Sequence, residues 1–199
     1  MATLDLQVSA TADDGQWVAG GSLFASTNLA NDLGDDANNE YSIFLYFVLT
    51  ADLAGATITE SHLEGRAHAT RTDNINFHIY GHDADNPAAP TTVAEADAAP
   101  VTTANTAVAF TTDITAGTFY TLGDVTAILQ ELVDSYGPLD TERLGFLLKN
   151  DGGHATNVKL RWTDLSGGAG LSGKLHIEYT AAGGDGLTPG LLRPMGIVF

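Results

Sequence analysis

The sequence predicts an all-β sandwich, and three observations support that prediction. Many short segments alternate apolar and polar side chains, which is the pattern of a strand with one buried face. Only one segment repeats its apolar residues with the period of a helix. The 22 glycines and six prolines favour frequent turns, and hydrophobic residues make up 44 % of the 199 residues, enough for a core.

The N-terminal part contains one short strand and the strongest strand of the chain. Alternation predicts a strand at Leu4–Val8, followed by a turn at Thr11–Gln16. Gly20–Glu40 is rich in Gly, Asn and Asp and has few apolar anchors, so we expect a long surface loop. Tyr41–Leu49 is apolar on both faces, which predicts a central strand covered on both sides.

Alternating strands continue through the rest of the chain. Glu60–His68 and Asn74–His82 each have one apolar and one polar face, as a sandwich strand requires. The segment Asp83–Pro100, rich in Ala, Pro and Asp, is expected to be a loop. The remaining predicted strands are Thr106–Thr111, Phe119–Leu122, Leu144–Lys149, Val158–Trp162 and Lys174–Thr180.

One short helix is predicted at Asp124–Ser135. Asp124 places a carboxylate near the N-terminus, where it interacts favourably with the helix dipole, and Gly137 with Pro138 ends the helix. Its buried stripe consists of Val125, Ile128, Leu129, Leu132 and Val133. Eight to ten strands with one inserted helix fit a jelly-roll sandwich better than a closed barrel, because the helix can cap an open end.

The chain divides into a sandwich domain, residues 1–180, and a glycine hinge with an apolar C-terminal extended tail, residues 181–199. Two prolines prevent a regular helix in the tail, so its apolar side chains must be buried in another way. They either pack on their own domain or dock on a neighbour, which we favour because the last strand is complete at Thr180. The predicted contact residues are Leu191, Leu192, Met195, Ile197, Val198 and Phe199.

Composition excludes several classes of function. The net charge is −17 with only eight Lys and Arg, so we expect no nucleic-acid partner. No cysteine is present, and no apolar run approaches the roughly 20 residues that span a membrane. The N-terminus has neither a basic nor an apolar signal-peptide region. Motifs of serine hydrolases, P-loop proteins and zinc peptidases are missing, so we expect no enzyme.

Five histidines form a candidate polar, pH-sensitive face. They lie on predicted strands, mostly on the polar sides, and if those strands are neighbours the imidazoles share one surface. A histidine gains charge below about pH 6.5, which reduces repulsion between acidic subunits. The alternative is a solvated or inter-subunit face that does not respond to pH. The five residues are His62, His68, His78, His82 and His176.

Exposed aromatic side chains are candidates for stacking on a sugar. Trp17 follows a turn and is expected to be exposed, and Tyr80 and Tyr136 are the other candidates. Trp162 is in phase with the apolar face of its strand and is expected in the core. Three aromatic residues make a small glycan-binding platform.

Four segments together carry a resemblance: Tyr41–Ala67, Ile75–Pro90, Leu122–Gly137 and Leu144–Thr180. In this order they resemble jelly-roll modules of the carbohydrate-binding-module type, related to the DNRLRE family. Versions with a similar DADNPA loop and helix occur among predicted structural proteins of tailed phages. The resemblance covers Leu4–Thr180 and implies a jelly-roll fold.

The resemblance also implies a structural Ca²⁺ ion, since modules of this type often carry one. Candidate ligands are Asp13 with Asp14, or Asp83 with Asp85. The sequence after Asp83 lacks the glycine and the later glutamate of an EF-hand, so only an irregular site fits. The alternative for each pair is an ordinary turn, in which the carboxylate accepts hydrogen bonds from backbone amides.

These observations lead to two functional hypotheses. The first is a non-enzymatic structural protein of a tailed-phage virion, a capsid decoration or cement protein that is assembled in the host cytoplasm. Its partners are then the major capsid protein or other virion proteins, and it is expected to form a homo-oligomer, with a trimer suited to a shell's threefold positions. The second is a carbohydrate-binding or adhesion module of a tail, a fibre or a cell surface.

Overall fold

Two antiparallel sheets pack against each other, so the predicted all-β sandwich is confirmed. The structure is a computed structural model, and it describes residues 1–36, 39–72, 74–152, 158–168 and 170–182. Its strands are β1 (Ala2–Gln7), β2 (Asp14–Val18), β3 (Phe24–Ala25), β4 (Ala30–Asp36), β5 (Asn39–Val48), β6 (Thr57–Arg66), β7 (Ile75–His82), β8 (Val101–Phe110), β9 (Phe119–Asp124), β10 (Arg143–Asn150), β11 (Lys159–Thr163) and β12 (Lys174–Thr180). The helices among these residues are α1 (Val93–Ala98), α2 (Thr126–Tyr136) and a 3₁₀ turn at Leu165–Gly167.

The smaller sheet has four strands in the order β1-β12-β6-β9, and the larger sheet has the order β11-β4-β5-β10-β7-β8. In addition, β2 pairs with β5, and β3 pairs with β2. The chain passes repeatedly from one sheet to the other, as in a jelly roll. Consecutive strands such as β6 and β7 therefore lie in opposite sheets.

Apolar side chains from both sheets form one core between them. The inward faces predicted for β6 and β7 are buried as expected, with Leu63 and Phe77 fully covered. Trp162 also lies in the core, where its ring meets Phe110 edge-on at 5.7 Å. Alternation in the sequence predicted these positions because one face of each strand packs and the other does not.

The predicted double coverage of the central strand is confirmed. Ile43, Leu45 and Phe47 of β5 face the main core, whereas Phe44 and Tyr46 belong to a second apolar cluster on the other face. That second cluster is covered by α1 and the residues beside it.

Helix α1 lies inside Asp83–Pro100, so the prediction that this whole segment is a loop was wrong. Thr92 caps the helix by accepting a hydrogen bond from the Glu95 amide, and the Glu95 carboxylate accepts one from the Thr91 amide at 2.6 Å. A helix of six residues is too short to show a clear 3.6-residue period, which is why alanine-rich sequence alone did not reveal it.

The prediction of a surface loop at Gly20–Glu40 was also wrong, because β3, β4 and the start of β5 lie there. Strand β4 is mostly buried although it is polar. Asp32 forms a two-pronged ion pair with Arg161 on β11, at 2.7 and 3.0 Å, and lies 3.2 Å from Lys159. The buried charge of Asp32 is tolerated in β4 because these two cations on β11 neutralise it.

Helix α2 confirms the predicted helix. Asp124 accepts a hydrogen bond from the Thr126 amide at 2.7 Å, and Gly137 ends the helix in the left-handed conformation. Gln130 bonds to the backbone beside β6 and Glu131 accepts from two amides of β8, so α2 bridges the two sheets.

None of the helices in the described residues is long and apolar enough to cross a membrane.

Candidate functional site

The outer side of the smaller sheet carries the candidate contact surface. Alternation along β1, β6 and β12 turns their polar residues away from the core. The strand register then aligns Asp5 with His176, and His176 with His62. We call this surface the histidine face and define it as Asp5, Glu60, His62, Glu64, His176 and Glu178.

The two imidazoles of the histidine face stack on each other. The rings of His62 and His176 have centroids 4.9 Å apart and planes inclined by 27°. Nδ1 of His176 lies 2.6 Å from Asp5 Oδ1, and its Nε2 lies 3.8 Å from Glu178. His62 lies between Glu60 at 3.7 Å and Glu64 at 4.0 Å. The hydrogen bond to Asp5 raises the pKa of His176, so this imidazole keeps its proton to higher pH than a free histidine.

The other histidines do not belong to this surface, so the expectation of one face shared by all five is not met. His78 and His82 lie on β7 in the larger sheet, and His68 is exposed beyond the end of β6. His78 stacks on Tyr80. His82 Nδ1 lies 2.6 Å from the Tyr46 hydroxyl, and burial lowers the pKa of this histidine.

Trp17 is buried, so the expectation that it is exposed for sugar stacking was wrong. Its side chain is 1 % exposed, and its Nε1 donates a hydrogen bond to Asp97 on α1 at 2.9 Å. Tyr80 is half-buried against His78, whereas Tyr136 is 38 % exposed. Sequence reasoning missed the burial of Trp17 because it did not anticipate α1 as a cover.

The loop with Asp83 and Asp85 has the contacts of an ordinary turn. Asp83 Oδ1 accepts a hydrogen bond from the Tyr136 hydroxyl at 3.0 Å, and Asp85 is exposed. Asn86, with a positive φ of 42°, accepts one from the Arg143 amide. Asn86 therefore caps a backbone amide, whereas Asp83 contacts a side chain, and the turn alternative for this pair stays a prediction.

The pair Asp13 and Asp14 is buried, unlike the carboxylates of a surface turn. Asp13 Oδ1 lies 3.2 Å from Arg143, and burial raises the pKa of Asp13. Asp14 Oδ2 accepts a hydrogen bond from the Leu165 amide at 3.0 Å. Burial and the neighbouring charge of Asp164 raise the pKa of Asp14 to about 8. The pair nevertheless follows a turn, in which the Asp13 amide donates to Ala10 O at 2.9 Å, so the turn alternative stays a prediction.

Further buried polar groups lie near Asp14. Asp164 is fully buried beside it and accepts a hydrogen bond from Asn31 Nδ2 at 3.1 Å. Asp14 Oδ1, Asn31 Oδ1 and Thr163 Oγ1 are buried oxygens without a hydrogen-bond partner. Sequence reasoning missed Asn31, Thr163 and Asp164, because no local spacing connects them with Asp14.

Within the described ranges, no three His, Asp or Glu side chains converge in a way that could hold a metal ion. A cation beside Asp14 would therefore depend on two carboxylates together with neutral oxygens.

The six tail residues predicted as partner contacts, Leu191, Leu192, Met195, Ile197, Val198 and Phe199, lie outside the described residues.

Comparison with known proteins finds no family model that matches the chain and no matching curated protein.

Proposed function

We propose that the protein is a non-enzymatic structural protein of a tailed-phage virion, a decoration or cement protein that binds the major capsid protein or another virion protein. The observation that carries this proposal is the pairing of β1 with β12, the first and last of the described strands. Strand β12 ends at Thr180, and Tyr179 pairs with Ala2 of β1. Ala182, the last described residue before the apolar segment, therefore comes just after a strand that pairs with the edge strand β1.

That edge supports a role in assembly. Among the described strands, β1 has a neighbour on one side only, so its other edge can accept a strand from another chain. Each apolar tail side chain that becomes fully buried stabilises a contact by about 1.5–3 kcal/mol before ordering costs. A symmetric oligomer, for which we propose a trimer, multiplies such contacts.

The test compares the full chain with a chain that ends at Ala182. We expect the full chain to form a closed oligomer by light scattering and to bind capsid particles, and the shorter chain to be a monomer that does not bind. Replacing Leu191 and Leu192 with Asp is expected to have the same effect. The matched control is Leu29→Asp, since Leu29 is 64 % exposed on the described domain. Equal mass and equal binding of both chains would contradict the proposal.

A carbohydrate-binding module is the second candidate, favoured by one groove. An open groove of about 550 Å³ is lined by His82, Pro87 and Pro90, and Tyr136 lines a pocket next to it that shares His82 and Pro87. This candidate predicts saturable glycan binding that Tyr136→Ala abolishes. If neither Tyr136→Ala nor Tyr80→Ala changes binding on a glycan array, the aromatic residues form no sugar platform.

A further inference from the structure

An open apolar groove is formed by the loop that follows β7 and by helix α1 with the residues after it. Its volume is about 550 Å³, and its lining consists mostly of alanines and prolines, among them Ala88, Ala98 and Pro87. Ala88 and Ala98 are exposed. Small apolar side chains leave room for larger ones, so the groove can bury the apolar side chains of a ligand.

The polar groups on the lining of the groove already have partners within the domain. The Thr91 amide and hydroxyl both donate to the Glu95 carboxylate, at 2.6 and 2.8 Å. His82 Nδ1 lies 2.6 Å from the Tyr46 hydroxyl. A sugar requires several free polar groups that face its hydroxyls, whereas an apolar peptide segment does not. The lining therefore favours a peptide over a sugar as the occupant.

The residue that precedes the apolar tail lies near this end of the domain. A Cβ atom added to Gly55 would lie 3.2 Å from Cβ of Ala182. A Cβ atom added to Gly137, the residue that ends α2, would lie 3.4 Å from Cβ of Ala54. Ala182 is therefore packed against a turn that itself contacts the end of α2.

The end of α2 is continuous with the groove. Tyr136 and Pro138 line a small pocket that shares His82 and Pro87 with the groove. In the sequence, 17 residues follow Ala182, and 17 residues span about 50 Å when extended. The tail is therefore long enough to reach this groove on its own domain or on an adjacent copy.

The composition of the tail matches the groove. Arg193 is the cation of the tail sequence, and Glu95 is the residue with a full charge among the described lining, so the two charges are complementary. Pro189 and Pro194 restrict the backbone, which lowers the entropy cost of ordering the segment on binding.

We propose that the apolar tail of one chain docks in this groove on a neighbouring copy. The inference rests on the proposed function, because it names the site at which the tail binds in the oligomer. Tail and groove are different surfaces, so the contact is heterologous, and its repetition about an axis closes a ring. The interfaces of a trimer are of this type, whereas a twofold dimer pairs identical surfaces.

Cysteine crosslinking of the full chain tests the contact, since the sequence contains no cysteine. Ala88→Cys in the groove is combined with one tail substitution at a time. A disulfide requires Cα atoms within about 7 Å of each other, so we expect at least one pair to give covalent oligomers under mild oxidation. The matched control is Leu29→Cys with the same tail substitutions, because Leu29 is 64 % exposed outside the groove. The tail substitutions are Leu191→Cys, Leu192→Cys, Met195→Cys and Ile197→Cys.

A charge placed in the groove gives a second test that needs no crosslink. Ala88→Glu should weaken the association of the full chain at least about tenfold in light scattering, because the tail would bury a carboxylate without a partner. Ala94→Glu is the matched control and should leave association unchanged, since Ala94 is exposed on α1 but does not belong to the described lining of the groove.

Four results would overturn the docking site. Crosslinks that form only within one chain would place the tail on its own domain. Crosslinking no stronger than in the Leu29→Cys control would remove the tail from the groove altogether. Unchanged association of Ala88→Glu would show that the groove is not part of the interface. Loss of glycan binding in Ala88→Glu without loss of association would assign the groove to a sugar.

One further substitution separates this inference from the proposed function. Thr3→Cys places the groove cysteine's counterpart on β1, whose free edge is the other acceptor for the tail. If Thr3→Cys forms the covalent oligomers in place of Ala88→Cys, assembly through the tail stands and the groove is not its site. If the full chain is a monomer that does not bind capsid particles, the proposed function fails together with this inference.

Discussion

Replacing Trp17 with alanine should destabilise the domain instead of removing a ligand contact. The Trp17 side chain packs beside Phe44, with ring centroids 6.4 Å apart, and it helps α1 to cover β5. Truncating a buried Trp to Ala costs about 3–5 kcal/mol, since both burial and packing are lost. The Asp97 carboxylate also loses the hydrogen bond from Nε1.

Urea unfolding followed by circular dichroism measures this effect. We expect the midpoint to fall strongly with an unchanged slope, which indicates a change in stability without a change in the surface exposed. Leu29→Ala is the control, because Leu29 is 64 % exposed and surface changes usually stay within about 0.5 kcal/mol. A loss below about 1 kcal/mol for Trp17→Ala would refute the assignment of Trp17 to a buried cluster.

Three further predictions concern other parts of the fold. Asp5→Asn should lower the pKa of His176, as measured by an NMR titration. Because folding raises this pKa, the contact with Asp5 stabilises the folded state fully below about pH 6.5. This stabilisation is lost as the pH rises through the pKa of the folded state. An unchanged pKa would show that Asp5 is not the cause. Arg161→Ala should cost about 1–3 kcal/mol in urea unfolding, since it removes two hydrogen bonds from the buried Asp32; a neutral result would mean that Asp32 needs no such partner. Gly137→Ala should lower Tm by a few degrees, since φ is 59° there, and an unchanged Tm would contradict the left-handed end of α2.

The local alternation of apolar and polar residues correctly predicted the strands in which every second side chain is buried. Leu63 on β6 and Phe77 on β7 are in the core because period-2 spacing requires it. Strand β4 could not be predicted in this way, since its buried Asp32 depends on Arg161, 129 positions further along the chain. A pattern of single residues contains no information about such a partner.

The candidate sites show the same limit. His62 and His176 meet only because β6 pairs with β12, and the alternation of residues within each strand does not show which strands pair. Asp14 is a candidate ligand from the sequence, but its neighbour Asn31 lies in a segment predicted as a loop, and Asp164 lies outside every predicted strand. Charge and residue type suggested the chemistry, whereas long-range strand pairing determined which residues share a site.

The position of β12 between β1 and β6 has a consequence for biosynthesis. The smaller sheet cannot close until Thr180 has emerged from the ribosome, because β12, which joins its two halves, is the last strand among the described residues. Until then β1 and β6 each present a strand edge, and such unpaired edges favour aggregation of nascent chains. Non-local pairing of this kind also slows folding to milliseconds or seconds. The smaller sheet should therefore close late in folding, and chaperones can protect its open edges until then.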